Sequence, residues 1–108
     1  MNMKNQAKKI AGIGELLWDL LPQGKQLGGA PCNFAFHAMQ AGFDARVVSA
    51  LGRDREGEEI LRVMSQLGLG RQYIQIHPEY PTGTVSVELA DEGIPTYTIH
   101  ENVAWDYI

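Results

Sequence analysis

Between Asp44 and Gly52 the chain runs ARVVSAL, apolar at nearly every position, with adjacent valines at Val47 and Val48. A strand wetted on one face alternates polar with apolar residues. A row apolar on both parities belongs instead to a strand covered on both faces, and the usual cause is a parallel sheet layered with helices. Parallel strands cannot be joined by tight turns, so helix-length crossovers must flank this one. The neighbouring sequence supplies both. Upstream, Pro31 at a first helical position and the run Phe34, Ala35, Ala38 and Met39 predict a helix that Gly42 ends. Downstream, Asp54 can cap a second helix in which Ile60, Leu61, Met64 and Leu67 make one apolar face until Gly68.

KKIAGIGELLWDL, residues 8–20, reads as a buried first strand followed by a turn or second short strand, and Tyr73–Ile76 as a third strand. Pro22, Gly24, Gly28 and Gly29 punctuate a loop between them. Strand–helix–strand–helix–strand is the order of a doubly wound α/β sheet, whose ligands bind beyond the carboxyl ends of the strands. From Pro81 the texture changes. TVSVELA and TYTIH alternate around Asp91, Glu92, Gly93 and Pro95, which predicts a β-hairpin with one dry face, set on the α/β core as a lid. The change near Pro78–Pro81 is one of layer, so the 108 residues form one domain or part of one. Three strands are too few to cover both faces of such a sheet, and AWDYI stops in an apolar stretch; a longer protein is expected to continue the fold.

Nine Lys and Arg against thirteen Asp and Glu give a net charge of −4, so no basic field draws a polyanion and nucleic acid is not an expected partner. Lys4, Lys8 and Lys9 make a basic head that reads as a solvated leader. No stretch approaches the ~20 apolar residues of a membrane span, and Glu15 and Asp19 interrupt the apolar run after the lysines, so neither a membrane nor a secretory leader is expected. The single cysteine, Cys32, cannot pair within the chain, and the cytoplasm is the expected compartment. A helix start can lower a thiol pKa, but no base is positioned beside Cys32, and packing is its expected role. Gly12-Ile13-Gly14 lacks the third glycine of a dinucleotide fingerprint, which falls at Leu17, and Gly24-Lys25 lacks the Ser or Thr of a phosphate loop. His37, His77 and His100 have no close Cys or His companion, so no metal site is expected.

The stretch from Gly28 to Gly52, GGAPCNFAFHAMQAGFDARVVSALG, sets two glycines that admit a ligand to the backbone beside a helix N-terminus and the Asn33 side chain. It resembles the first signature of the PfkB/ribokinase family of sugar kinases: paired glycines, an Asn four residues on, a small residue two later, then Gly42 and Gly52. GELLWDLLP resembles the family's first strand-to-lid segment, and PTGTVSVEL with TYTIHENVAWD its lid hairpin, so the resemblance covers essentially the whole chain. Asn102 and Asp106 place it nearest the fructokinase-like members.

The resemblance implies the N-terminal part of a ribokinase-like fold, with lid segments at about residues 15–27 and 82–101. It also implies phosphoryl transfer from ATP, with Mg²⁺, to a hydroxyl of fructose or a similar small sugar. Residue by residue, it implies that Asp19 holds sugar hydroxyls, that Gly28, Gly29 and Asn33 close a loop around the sugar, and that Val85, Ile99 and Glu101 lie over it on the lid. Several relatives carry a basic residue where this chain has Glu101, which turns the expectation away from acidic sugars. The chemistry of the residues agrees, since a carboxylate accepts two hydroxyl hydrogen bonds, an Asn both donates and accepts, and glycine amides approach closely. The hairpin's alternation suits covering a sugar and a lid-to-lid homodimer equally. The family's second signature, a Gly-Ala-Gly-Asp run carrying the catalytic base, the anion hole and the ATP site, is absent from these residues. No catalytic residue is therefore expected in this chain, and ATP and Mg²⁺ belong to the complete enzyme. The alternative is a non-catalytic module that self-associates through its hairpin and sheet edge.

Overall fold

In the computed structural model, which describes residues 8–89 and 93–108, the ARVVSAL row is the middle strand of a three-stranded parallel sheet. The elements in chain order are β1 (Lys9–Ile13), β2 (Leu17–Leu21), β3 (Gly24–Gly28), α1 (Ala30–Gln40), β4 (Asp44–Gly52), α2 (Arg55–Gln66), β5 (Ile74–His77), β6 (Gly83–Leu89), β7 (Pro95–Ile99) and a 3₁₀ turn, Ala104–Tyr107. β4 lies between β1 and β5, with Ile10 opposite Ala45, Gly12 opposite Val47 and Ser49 opposite Ile74. The core forms where Ala45, Val47 and Leu51 meet Cys32, Ala35 and Ala38 of α1 and Ile60 and Met64 of α2.

Both helices thus share one face of this sheet. The steps from β1 to β4 and from β4 to β5 run in the same direction, and right-handed crossovers then put both helices on the same side. Double winding needs a reversal of direction, which these residues do not contain. The opposite face is open among the described residues: Ala11, Arg46, Val48 and Tyr73 line a shallow groove there, and Ile13 is 68% exposed. Neither helix is long and apolar enough to cross a membrane.

α1 begins as its sequence predicts, with Pro31 in the first turn, Gly29 at the N-cap, and Gly42 donating its N–H to the Met39 carbonyl past the end. It also packs unusually close to β1. A Cβ on Gly12 would lie 2.6 Å from the Pro31 carbonyl oxygen, so Gly12 marks the crossing of a helix over a strand. Cys32, on the first turn of α1, is buried, and burial pushes its thiol pKa up from the ordinary value. It is a packing residue.

β2, β3, β6 and β7 form a second sheet, ordered β3-β2-β6-β7, with β2 parallel to β6 and antiparallel hairpins on either side. Residues 24–28 are therefore a strand, not the expected loop. Their sequence, GKQLG, shows no alternation because this is an edge strand with one buried position, Gly28, and its existence comes from pairing with β2 across the Pro22-Gln23 turn. The expected hairpin is present as β6 and β7, but β2 extends it into a sheet instead of leaving it appended alone. Its dry face is half made: Val85 and Val87 of β6 are buried with Leu17, whereas Tyr97 and Ile99 of β7 are 64% and 63% exposed, because β7 is the edge and none of the described residues covers it. The expected turn residues Asp91 and Glu92, and Lys4 of the basic head, lie outside the described residues. Lys9 begins β1, so the basic head is not wholly a leader, and the third strand starts one residue later than expected, at Ile74. The second sheet projects from the first, giving a radius of gyration of 15.5 Å against about 13 Å for a compact chain of this size.

Candidate functional site

Two concave regions flank the projecting sheet, one on each face. Directly paired residues point to the same side, so the register defines the faces. One face carries the row Gly28, Leu17 and Gly83 and, two residues along, the row Gln26, Asp19, Val85 and Ile99. The other carries Trp18, Leu27 and Thr84, then Leu20, Lys25 and Ser86.

On the first face, the Asp19 carboxylate lies directly over Gly28: a Cβ there would be 2.5 Å from Asp19 Oδ2. Only glycine leaves that carboxylate its place. Gly29 follows with φ 110° at the N-cap of α1, and a Cβ there would be 2.5 Å from the Glu15 carbonyl oxygen. The paired glycines therefore let three segments converge: the first half of β2, the loop after β1, and the start of α1. Between the last two of these lies a cleft of about 410 Å³ at the carboxyl end of β1, lined by Gly12, Ile13, Gly14, Glu15, Ala30, Pro31, Phe34 and Trp105. The loop is pinned from below, where Gly14 donates its N–H to the Val48 carbonyl at 3.1 Å and its own carbonyl accepts the buried Ser49 hydroxyl.

Of the residues expected at a sugar site, Asp19 and Gly28 are in contact, Gly29 is adjacent, and Val85 and Ile99 continue the row of Asp19 across the sheet. Asn33 is exposed on the first turn of α1, next to the cleft residue Phe34, and its N–H donates to the Gly29 carbonyl at 3.3 Å. Glu101 is apart from these. It lines the concavity on the other face, about 450 Å³, together with Trp18, Lys25, Asp54, Thr84 and His100.

That second concavity is built around the joint between the sheets. Asp54 Oδ1 accepts from Gly57 N at 2.8 Å, as a helix cap should, and from Thr82 Oγ1 at 2.6 Å; Oδ2 accepts from Thr82 N at 2.9 Å. Thr82 Oγ1 in turn accepts from Gly52 N at 2.9 Å. Burial acts to raise the Asp54 carboxyl, but these bonds from Thr82 and Gly57 outweigh it and hold the pKa below the usual Asp value. Beside it, Lys25 reaches Glu59 of α2 at 2.6 Å and lies 4.7 Å from the Trp18 ring, and Trp18 Nε1 donates to the Glu56 carbonyl at 3.0 Å. Sequence reasoning found Asp54 as a cap and missed its bond to Thr82, which no local pattern signals. It also missed Trp105 as a cleft residue, since three-dimensional return of the last turn is needed to bring it there.

Among the described residues no group of three or more His, Cys, Asp or Glu side chains is placed to hold a metal ion. The arrangement on the first face is a different one: a carboxylate, close backbone and an aromatic ring around a cleft at a strand's carboxyl end, in an α/β fold. Strand carboxyl ends are where α/β folds of this kind place ligands, so this cleft is the candidate site.

Comparison with known proteins gives the family. Residues 21–106 match the model of the pfkB family of carbohydrate kinases. Fructokinases of Salmonella typhimurium and Escherichia coli are each 30% identical over 95 residues, covering 83% of this chain and 31% of theirs. A sugar kinase of Pyrococcus horikoshii superposes with a TM-score of 0.81 at 29% identity, over 91% of this chain and 36% of that one. The fold is also shared by a Xylella fastidiosa fructokinase with bound ATP, at a TM-score of 0.83 and 24% identity, over 93% of this chain and 33% of that one. The chain belongs to the pfkB family of carbohydrate kinases, and it spans about a third of the length of the curated relatives it matches.

Proposed function

We propose that this chain is the sugar-binding part of an ATP-dependent carbohydrate kinase that is fructokinase-like in its substrate. The observation that carries the reading is the Asp19 carboxylate seated on Gly28, in one row with Val85 and Ile99, with Gly29 leading from it into the start of α1 that lines the cleft. In this reading Asp19 accepts hydrogen bonds from two sugar hydroxyls, the backbone at Gly28 and Gly29 approaches the ring, Asn33 supplies a further donor and acceptor, and Val85 and Ile99 exclude water as a lid. Glu101, on the opposite face, contributes to the lid's charge rather than to this contact set.

Phosphoryl transfer takes a base to remove the sugar hydroxyl proton, donors for the transferring phosphoryl group, and nucleotide with Mg²⁺. We assign none of these to residues of this chain, whose part is to bind and orient the acceptor. The relatives' names motivate fructose as the first sugar to test. The second reading, self-association through the second sheet, is favoured by one observation, the exposure of Tyr97 and Ile99 on the edge strand β7.

Calorimetric titration with D-fructose tests the first reading. Replacing Asp19 by Asn removes the charge from its hydrogen bonds, each of which contributes about 1.5–3 kcal/mol, so Asp19→Asn is expected to weaken binding at least 10-fold. Equal affinity in the variant contradicts the assignment of Asp19.

A further inference from the structure

The 3₁₀ turn that ends the described chain returns to the middle of the molecule. Ala104 donates its N–H to the Pro81 carbonyl at 2.7 Å, Tyr107 stacks on Tyr80 with ring centroids 4.0 Å apart, and its hydroxyl donates to Asn102 Oδ1 at 2.7 Å. These contacts fix Trp105 in between. Its indole rests on Gly83: a Cβ there would lie 2.7 Å from Trp105 Cδ1 and 2.8 Å from Nε1. Gly83 is the partner of Leu17, and Leu17 is the partner of Gly28, under the Asp19 carboxylate.

Trp105 and Asp19 therefore stand on the same face of the sheet, one on each side of Leu17. Gly83 and Gly28 are two strand spacings apart, about 10 Å. Leu17, 3% exposed, stands between them, so a ligand meets the indole from the cleft, where Trp105 lines the wall beside Gly14, Glu15 and Phe34. A side chain at Gly83 would push the indole into that cleft, and one at Gly28 would displace the Asp19 carboxylate. The indole N–H makes no hydrogen bond to a described residue, whereas that of Trp18 is spent on Glu56.

Charge narrows the ligand. Glu15 is the single ionisable residue lining the cleft among the described residues, and Asp19 is seated on Gly28, one residue before the N-cap of α1. Two carboxylates outweigh the roughly half positive charge of the α1 N-terminus. An anionic sugar is repelled, and a neutral ring is accepted.

We infer that Trp105 is the aromatic wall of the cleft, packing its indole against the apolar face of a neutral, ring-closed sugar and so selecting such sugars over sugar acids and sugar phosphates. This rests on the reading of the cleft as a sugar site. Aromatic walls of this kind combine a large apolar contact with a free polar edge, and the Tyr80–Tyr107 stack holds this one in place before the ligand arrives.

The test is titration of the ¹⁵N-labelled chain with D-fructose, D-glucose and D-gluconate, following the two indole N–H resonances, with affinities for wild type, Trp105→Phe, Trp105→Ala and Asp19→Asn. The neutral sugars are expected to shift the Trp105 resonance and leave that of Trp18 still, and gluconate to bind at least 10-fold more weakly. Trp105→Ala is expected to lose 10-fold or more in affinity and Trp105→Phe less than 3-fold. A shift at the Asp19 and Gly28 amides with a still Trp105 resonance, and unchanged affinity in Trp105→Ala, overturns the wall and leaves the sugar site standing. Gluconate binding as well as fructose overturns the charge selection. No response to any of the neutral sugars overturns the wall and the sugar site together. The indole resonances are read in the wild-type chain, so the outcome does not depend on the folding of a variant.

Discussion

Gly28 shows how much of this molecule is decided by an absent side chain. A methyl group there meets the Asp19 carboxylate and, at 3.0 Å, Leu17 Cδ1. Gly28→Ala is therefore expected to displace Asp19, abolishing measurable fructose binding while costing about 1–3 kcal/mol of stability, the range for overpacking; retained affinity on calorimetry would mean that the carboxylate has another seat. Gly12 is the structural counterpart, with the Pro31 carbonyl in the way of any side chain. Cys32 makes the third residue-scale statement. Its burial and raised thiol pKa predict that iodoacetamide alkylates it slowly in the folded chain and quickly once urea has unfolded it; fast labelling of the native chain would show an accessible thiolate.

At the scale of elements, the joint between the sheets runs through Asp54. Its carboxylate caps α2 and holds Thr82, the residue just before β6, so Asp54→Ala is expected to cost about 1–2 kcal/mol at neutral pH, read as a lowered urea midpoint. The folded-state pKa is depressed, so this contribution is complete above the ordinary carboxylate value of about 3.9 and is lost as the pH falls through the lower folded value. The stability gap between wild type and variant should narrow as the pH falls below the ordinary carboxylate value; a gap constant with pH would show that the charge plays no part.

Elements differ in how plainly their sequence announces them, and the reason is burial. β4, α1 and α2 bury one or both faces against the core, so their apolar residues recur at the period of the element and the caps at Asp54 and Gly42 fall where that period stops. β3 buries almost nothing and has no such period. It exists because β2 offers it hydrogen bonds, a property of the pair. The same holds for the site. Asp19, Gly28, Gly29 and Asn33 were legible through a resemblance of spacing; that Asp19 sits on Gly28, and that Trp105 returns to Gly83, depends on strand register, which one sequence does not state.

The whole molecule is two sheets sharing one joint, with α1 and α2 covering one face of the first and an exposed apolar edge on the second. That edge has its own consequence. Light scattering of the chain at rising concentration is expected to show association, and Ile99→Lys to suppress it by charging the edge strand; identical masses for both at every concentration would mean that β7 makes no such contact. The cleft lies where the two sheets meet, and the central claim is that a sugar binds there. The most direct measurement is the ¹H–¹⁵N spectrum of the wild-type chain titrated with D-fructose. The account predicts dispersed resonances with saturable shifts concentrated at Asp19, Gly28, Gly29 and Asn33, and none in the β5 strand. Saturable shifts elsewhere with these four unmoved, or no shifts at all from a dispersed spectrum, would contradict it.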